Sequence, residues 1–391
     1  MVSPYRAADV DVMTSGASAM NWYSANLCAN LSELGEAVCV IAPKGDGENR
    51  AWTDGAVVVH PAYRRGSPFF AWDVVRAAVR LRAAIVHVQF ELFAFGGVAQ
   101  AISVPLALAF LRLLGKTTVS TFHGLPSSRD LTPAFLERNG IRLPKEVVAL
   151  CLRVLGAALA ISSTRLIVHQ DSQRRMIARE YGAKDASVIP IGVDVREAPP
   201  KDVGRARYGI PMDAVVVLFF GYFAPYKGLE ELVPAVKRWI DEDPAHVFVF
   251  AGSTPPRYSG RRSDTLDADL VARTQIVTTG FVPDEDVPVL FGAVDALILP
   301  YTINMAASGP MNIALGYGVP VLMSSVFAED YGAAQSFEPN RTGILDALRA
   351  FSRDERCRLR LRGEALRMRS SRSWREAAGK TIAVYGARGA R

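Results

Sequence analysis

The chain has 391 residues and a mass of 42.4 kDa; half of its residues are apolar and 21% are charged. That is the composition of a globular protein of two or three domains, and it excludes a disordered tail, a collagen-like repeat and a small disulfide scaffold. The net charge is +6, but residues 353–391 carry eleven Arg and one Lys against four acids, a local +8 that leaves −2 for everything before.

The opening Met1–Arg6 has no apolar core of the length a secretory signal needs. It reads as a short first strand ending at Tyr5. Strand-like runs then fall at Ala37–Ala42, Ala56–His60, Ala84–Gln89, Thr117–Phe122, Arg165–His169 and Ser187–Pro190. Helix-length segments lie between them at Met20–Leu34, Ala71–Arg82, Lys145–Leu159 and Ser172–Tyr181. The longest apolar stretch, Val98–Leu114, is interrupted by Gln100, Ser103, Pro105 and Arg112 and is too short to span a bilayer. It reads as a buried or interfacial helix, with Leu106, Phe110 and Leu113 on one apolar face.

Asp194–Gly209, with Pro199-Pro200 and mixed charges, has the chemistry of a linker. The alternation restarts after it. Strands are expected at Ala214–Phe220, His246–Ala251, Gln275–Thr279, Asp295–Pro300 and Val319–Met323, and helices at Leu229–Asp241, Asp286–Phe291 and Met311–Tyr317. Continuous rather than alternating hydrophobicity marks strands buried on both faces, as in a parallel sheet between helices. The expected fold class is α/β with two Rossmann-like domains. Cys28, Cys39, Cys151 and Cys357 lie far apart, with no CxxC and no Cys/His cluster, so neither a zinc site nor a disulfide framework is expected. Cys39 and Cys151 sit in apolar runs and read as core thiols in a reducing cytoplasm.

In such folds ligands gather where strands end and helices begin. After Phe220 comes Gly221-Tyr222-Phe223-Ala224-Pro225-Tyr226-Lys227-Gly228, where Gly221 permits a tight turn and Lys227 could reach a diphosphate. Gly252-Ser253, Gly280-Phe281-Val282 and Ser308-Gly309-Pro310-Met311 follow later strands, the last opening a helix whose amides could face a phosphate. No G-x-x-x-x-G-K-[ST] and no G-x-G-x-x-G after a strand occurs, which argues against P-loop hydrolysis and against dinucleotide binding. In the first half, His123 ends a strand and could donate a proton or a hydrogen bond, and Glu91 ends the preceding one. Ser15, Gly16 and Ala17 precede the first helix and could offer amides to an acceptor.

Ordered along nearly the whole chain, the segments Val2–Arg6, Val88–Gly97, Thr121–Gly124, Val188–Asp194, Phe219–Leu232, Phe250–Ser253, Thr279–Val287 and Ser308–Leu322 resemble the retaining GT-B glycosyltransferases of family four (group one). The resemblance implies two Rossmann-like domains facing a central crevice, divided as 1–195 for the acceptor, 196–372 for a nucleotide-sugar donor, and a terminal helix, 373–391, returning to the first domain. It implies transfer of a sugar from a nucleotide diphosphate to a hydroxyl with retained configuration. His123 and Glu91 would be catalytic, and Ser15, Gly16 and Ala17 would meet the acceptor. The donor would be held by Gly221, Lys227, Gly252, Ser253, Phe281, Val282, Ser308, Gly309, Pro310 and Met311.

Many relatives carry two glutamates eight apart before a G-x-P-V sequence. Aligned on Gly318-Val319-Pro320-Val321, Met305 and Ile313 stand at those positions here, and Tyr222 and Ala224 stand where an arginine is common. A non-catalytic relative that binds or scaffolds is the alternative these departures leave open. No metal and no cofactor is expected, because Asp284, Glu285 and Asp286 read as acids at a helix start rather than as a D-x-D site. The expected partners are a nucleotide sugar and a sugar, lipid-linked or small-molecule acceptor, with no nucleic acid. The arginine-rich tail is expected to touch anionic lipid, which would make a cytoplasmic protein membrane-associated.

Overall fold

The computed structural model describes residues 1–5, 17–45, 50–124, 126–138, 141–183, 185–254, 266–304, 308–332 and 336–386. In chain order the first elements are α1 (Ala17–Glu33), β1 (Cys39–Pro43), β2 (Trp52–Asp54), β3 (Val57–Tyr63), α2 (Phe70–Arg80), β4 (Ile85–Glu91), α3 (Val98–Leu113), β5 (Thr117–Gly124) and α4 (Pro133–Arg138). Then come α5 (Lys145–Ser162), β6 (Arg165–Val168), α6 (Asp171–Tyr181), β7 (Ala186–Val188), α7 (Lys201–Tyr208), β8 (Val215–Phe220), α8 (Leu229–Ile240), β9 (His246–Ala251), α9 (Ala268–Val271) and β10 (Ile276–Gly280). The last are α10 (Val287–Ala293), β11 (Ala296–Leu299), α11 (Gly309–Gly316), β12 (Val321–Ser324), α12 (Ala328–Tyr331), β13 (Ser336–Phe337), α13 (Arg341–Arg353), α14 (Glu355–Ser370) and α15 (Trp374–Gly386). The chain divides into two compact units: residues 1–192 with the chain from Trp374 onward, and Val193–Asn304 with Ser308–Ser373.

In the first unit β4, β5, β6 and β7 pair in parallel, and β1 pairs in parallel with β3, to which β2 adds antiparallel. Val2 joins the two sheets as single parallel bridges to Ile41 and Val88, so the expected first strand shrinks to one paired residue. Side chains alternate across each strand. Val86, Val88 and Phe90 of β4 enter the core under α2, α3, α5 and α6. On the other face Val119 of β5 and Ile167 of β6 pack with Tyr23 and Leu27 of α1 and with Trp374, Ala377 and Ala378 of α15.

The second unit is one parallel sheet in the order β10-β9-β8-β11-β12-β13. The order reverses between β8 and β11, the point where an open α/β sheet leaves a crevice at its carboxyl edge. β8 supplies both cores: Val216 and Leu218 pack under α10 and α11, while Val217 and Phe219 pack under α8 and α13. That two-sided burial is why its sequence, VVVLFF, shows no polar alternation.

The linker and the core-thiol expectations are corrected by the structure. The linker segment contains α7, which packs on α10, and Arg205 within it is fully buried. Its guanidinium donates to the carbonyls of Ala293, Pro211, Met212 and Ala214 and pairs with Asp295. Pro200 is thus a helix N-cap position rather than a stiffener between domains. Cys151 is exposed and Cys39 half-buried, while Cys28 and Cys357 are the buried thiols. Cys151 lies on a helix that is apolar nearly all round, so an apolar neighbourhood in sequence did not mean an inward position. In α3, Val104, Leu108 and Leu111 face the core, and the expected apolar face of Leu106, Phe110 and Leu113 lies on the outward side. The short strands β2 and β13 and the short helix α4 carry too few residues to leave a periodic signal.

Candidate functional site

In the second unit the loop after β8 is built around two glycines. Gly221 has φ +108° and Gly252 φ +148°, both left-handed conformations that favour glycine, and a Cβ on Gly252 would collide with the Gly221 carbonyl. This close approach brings the ends of β8 and β9 together: Gly221 N–H donates to Ala251 O at 2.8 Å and Phe223 N–H to Ser253 O at 3.0 Å. A turn of 3-10 helix, Pro225–Lys227, then leads into α8.

That turn folds Lys227 back over Gly221. Its Nζ stands where a Cβ on Gly221 would lie only 2.7 Å away, and Pro310 Cγ lies 3.5 Å from the same point. The residue is 5% exposed. Its Nζ lies 5.9 Å from the centre of the Phe219 ring and 5.6 Å from that of Tyr301, so cation–π attraction is the compensation it has. Burial, opposed by no acid among the described residues, lowers its pKa to about 7. Lys227 is therefore an enclosed lysine, and not the exposed turn lysine that a Lys-Gly pair ordinarily is.

The β11 side completes this edge. Thr302 N–H donates to Tyr226 O at 2.8 Å, and the Tyr226 and Tyr301 rings meet edge to face at 5.6 Å. Tyr301 is buried and hydrogen-bonded to Ser308, and burial pushes its phenol up. Ser308 caps α11, its Oγ accepting from Met311 N–H at 3.3 Å, and Asn312 N–H donates to Ser308 O. Pro310 has no N–H. Gly309 is the remaining amide donor of that first turn, while the Met311 side chain lies fully in the core. Gly221, Lys227, Gly252, Ser253, Ser308 and Pro310 therefore gather at the switch point. Val282 is buried in the adjoining core and Phe281 is exposed beside it.

In the first unit, strand alternation places His87, Gln89, Thr121 and His123 on the sheet face covered by α1 and α15, and His169 follows β6 on the same side. His87 Nε2 meets Thr121 Oγ1 at 2.7 Å and its Nδ1 meets Tyr385 Oη at 2.8 Å. His123 Nε2 lies 2.7 Å from the Gln89 amide and its Nδ1 3.4 Å from His169 Nε2; His169 Nδ1 lies 2.9 Å from Ile189 O. The Tyr23 ring stands edge-on to both His123, at 4.6 Å, and His169, at 5.1 Å.

The carbonyl of Ile189 can only accept, so His169 Nδ1 carries a proton. Gln89 presents its Oε1 to His123, so His123 Nε2 donates to it, while the Gln89 NH2 faces Met1 Sδ at 2.9 Å and His87 Nε2 at 3.3 Å. Burial is the largest cause that lowers all three rings, His87 to about 3, His169 to about 4, and His123 well below its ordinary value. Burial holds the cluster neutral.

Glu91 ends β4 half-buried, opposite Gly124 in the register, so it and His123 share one edge of the sheet. Ser15 and Gly16 lie outside the described residues, as does Met305, and Ala17 opens α1. Sequence reasoning named His123 and the Gln89–Glu91 segment but missed Tyr23, His87 and His169. The available signal was the two-residue period of His87-Val88-Gln89 and Thr121-Phe122-His123. Among the described residues no group of three or more His, Cys, Asp or Glu is arranged to hold a metal ion.

Two family models match the chain in tandem: Glycosyltransferase Family 4 over residues 20–197 and Glycosyl transferases group 1 over 214–362. Curated relatives include a D-inositol 3-phosphate glycosyltransferase of Kineococcus radiotolerans, 36% identical over 130 residues, which are 30% of this chain and 29% of that one. Another is a 2-deoxystreptamine glucosyltransferase of Streptomyces kanamyceticus, 31% identical over 153 residues, 37% of this chain and 38% of that one. The match thus spans less than two fifths of either relative. Among solved structures, sucrose-phosphate synthase of Thermosynechococcus elongatus superposes with a TM-score of 0.75 at 17% identity, covering 98% of this chain and 97% of that one. Anabaena HepE in complex with UDP-glucose superposes at 0.65 and 16% identity, covering 92% of this chain and 95% of that one. At such identities the superpositions speak for the fold, and with the tandem family matches they place the chain among the GT-B glycosyltransferases of family four, group one.

Proposed function

We propose that the protein is a glycosyltransferase that takes a sugar from a nucleoside diphosphate and places it on a hydroxyl acceptor with retained anomeric configuration. The observation that carries this reading is Lys227, a buried lysine at the switch point of the second sheet with no acid partner among the described residues. A diphosphate there supplies the missing charge, and the Gly309 amide at the start of α11 adds a donor to the same anion. The neighbouring Gly221, Gly252, Ser253, Ser308 and Pro310 leave backbone rather than bulk against the ligand, and Phe281 and Val282 take the base.

In the transfer the bond from the anomeric carbon to the diphosphate breaks, the acceptor oxygen bonds to that carbon, and the acceptor proton leaves with the diphosphate. Charge builds on the leaving group, where Lys227 stabilises it. Glu91 orients the sugar or the acceptor, and His123 acts as a neutral hydrogen-bonding group held in place by Gln89 and His169. The acceptor meets Ser15, Gly16 and Ala17. The reading assigns no metal, since the acids at 284–286 stand at the start of α10, where they favour the helix dipole.

The experiment is a thermal-shift screen against uridine, guanosine, adenosine and thymidine diphosphate sugars, followed by product analysis with the retained donor. Binding raises the transition by mass action. Stabilisation by one base, with release of its diphosphate and an axial or equatorial linkage matching the donor, is the expected result. No shift with any of the four overturns the donor assignment, and an inverted linkage overturns retention.

A further inference from the structure

The outer faces of α2, α3 and α5 are apolar and uncovered. α3 packs between the other two, so the three faces are continuous. Leu106 and Leu113 of α3 are 66% and 84% exposed, and Ile102 and Phe110 share their stripe. On α5, Leu150, Val154 and Ile161 are exposed, and Phe69 and Trp72 stand out at the start of α2. Scattered apolar residues are normal on a surface, but a face built by three adjacent helices is a docking surface.

Its charge identifies what docks. The three helices carry Arg76, Arg80, Arg112, Lys145 and Arg153 against Asp73 and Glu146, a net +3, while residues 1–352 together carry −2. We propose that this face lies on an anionic lipid bilayer, its leucines and aromatics entering the headgroup boundary and its arginines meeting phosphates. α3 is 16 residues, about 24 Å at 1.5 Å per residue, and its inner side is committed to the core, so it lies in the interface rather than across it. No described helix is long and apolar enough to cross a membrane. A second copy of the chain is the poorer occupant, because a two-fold interface would set the same basic face against itself. The proposal stands apart from the donor assignment, since lipid binding needs no nucleotide.

The test is sedimentation of the whole chain with phosphatidylglycerol vesicles and with phosphatidylcholine vesicles, at low and high salt. Pelleting with phosphatidylglycerol that falls at least tenfold in Leu106→Glu/Leu113→Glu and in Arg76→Glu/Arg80→Glu, both with wild-type thermal transitions, is the expected result. Arg360→Glu/Arg362→Glu on α14 separates this face from the basic tail: binding lost only in that variant overturns the proposal. So does an absence of pelleting at low salt, whether the chain then sediments as a monomer or as a dimer that Leu106→Glu/Leu113→Glu dissociates.

Discussion

Each unit buries basic side chains at the carboxyl edge of its sheet, and the two solve the resulting problem in opposite ways. In the first unit three histidines, a glutamine, a threonine and a tyrosine form one hydrogen-bonded cluster whose rings burial keeps neutral. In the second, Lys227 is enclosed by Phe219, Tyr301 and the Gly221 backbone with aromatic faces as its compensation. A closed network is what a fold uses to fix geometry. A buried charge left open costs stability, and it is retained where something arrives to pair with it. The first unit therefore presents a hydrogen-bonded cluster, and the second a buried lysine with no acid beside it among the described residues.

The largest effect expected from breaking this contrast is at Lys227. Lys227→Met removes the diphosphate's charge-assisted contact, worth about 1.5–3 kcal/mol, and weakens nucleotide binding by roughly tenfold to a hundredfold. Its thermal transition should hold or rise, because the uncompensated ammonium is gone. Calorimetric titration with the nucleotide found in the screen, alongside thermal melts, checks both; unchanged affinity removes Lys227 from the site.

The converse substitution, His169→Ala, should cost stability and spare binding. It takes their neighbour from the Ile189 carbonyl and from His123 Nδ1 in a buried place, about 1–3 kcal/mol. Urea unfolding reads the loss. A stability equal to wild type would mean that water already serves those groups.

The two sites also predict separate pH windows with the same sign. His87 and His169 bind their protons at about 3 and 4 in the fold, against 6.5 for an unfolded histidine. Their contribution is whole above pH 6.5 and is lost as pH falls toward 4, because the unfolded chain then holds more protons. Lys227, at about 7 against 10.5, makes the fold gain stability as pH rises between those two values. His169→Ala should flatten the first slope and Lys227→Met the second, as read by unfolding midpoints across pH.

These contrasts were only partly legible in the sequence. The parallel strands were, because two-sided burial writes uninterrupted runs such as VVVLFF. The turn glycines were, because strand ends in this architecture converge. Lys227 was read as part of the loop after β8, but its burial depends on the 3-10 turn and on Gly221, Phe219 and Tyr301 meeting, contacts with no local signature. The histidine network needed three strands and two helices to be registered at once. The interdomain linker was misread because Pro-Pro with charges describes a solvated segment equally well as the capped start of α7, and nothing local tells that Arg205 is enclosed by carbonyls 6 to 88 residues away. The outward face of α3 was hidden for the opposite reason: its sequence is apolar on every side, so periodicity could not say which side the core takes.

The smallest expected effect is the sharpest test of the contrast. Free Lys227, with a pKa of about 7, is mostly neutral at pH 8. A diphosphate beside it favours the ammonium, so its pKa rises on binding and the complex takes up a proton from solution. Titrations at pH 8 in two buffers of different ionisation enthalpy should therefore show uptake approaching one proton, falling toward zero at pH 6, where the free protein is already mostly charged. The histidines contribute nothing to this exchange, since all three stay neutral across that range. Lys227→Arg keeps a cation whose charge is fixed at every pH used. It should bind with no uptake at pH 8, so the difference between the two proteins isolates Lys227. Equal uptake in both would place the titrating group elsewhere and make the buried lysine a charged one that the fold already tolerates.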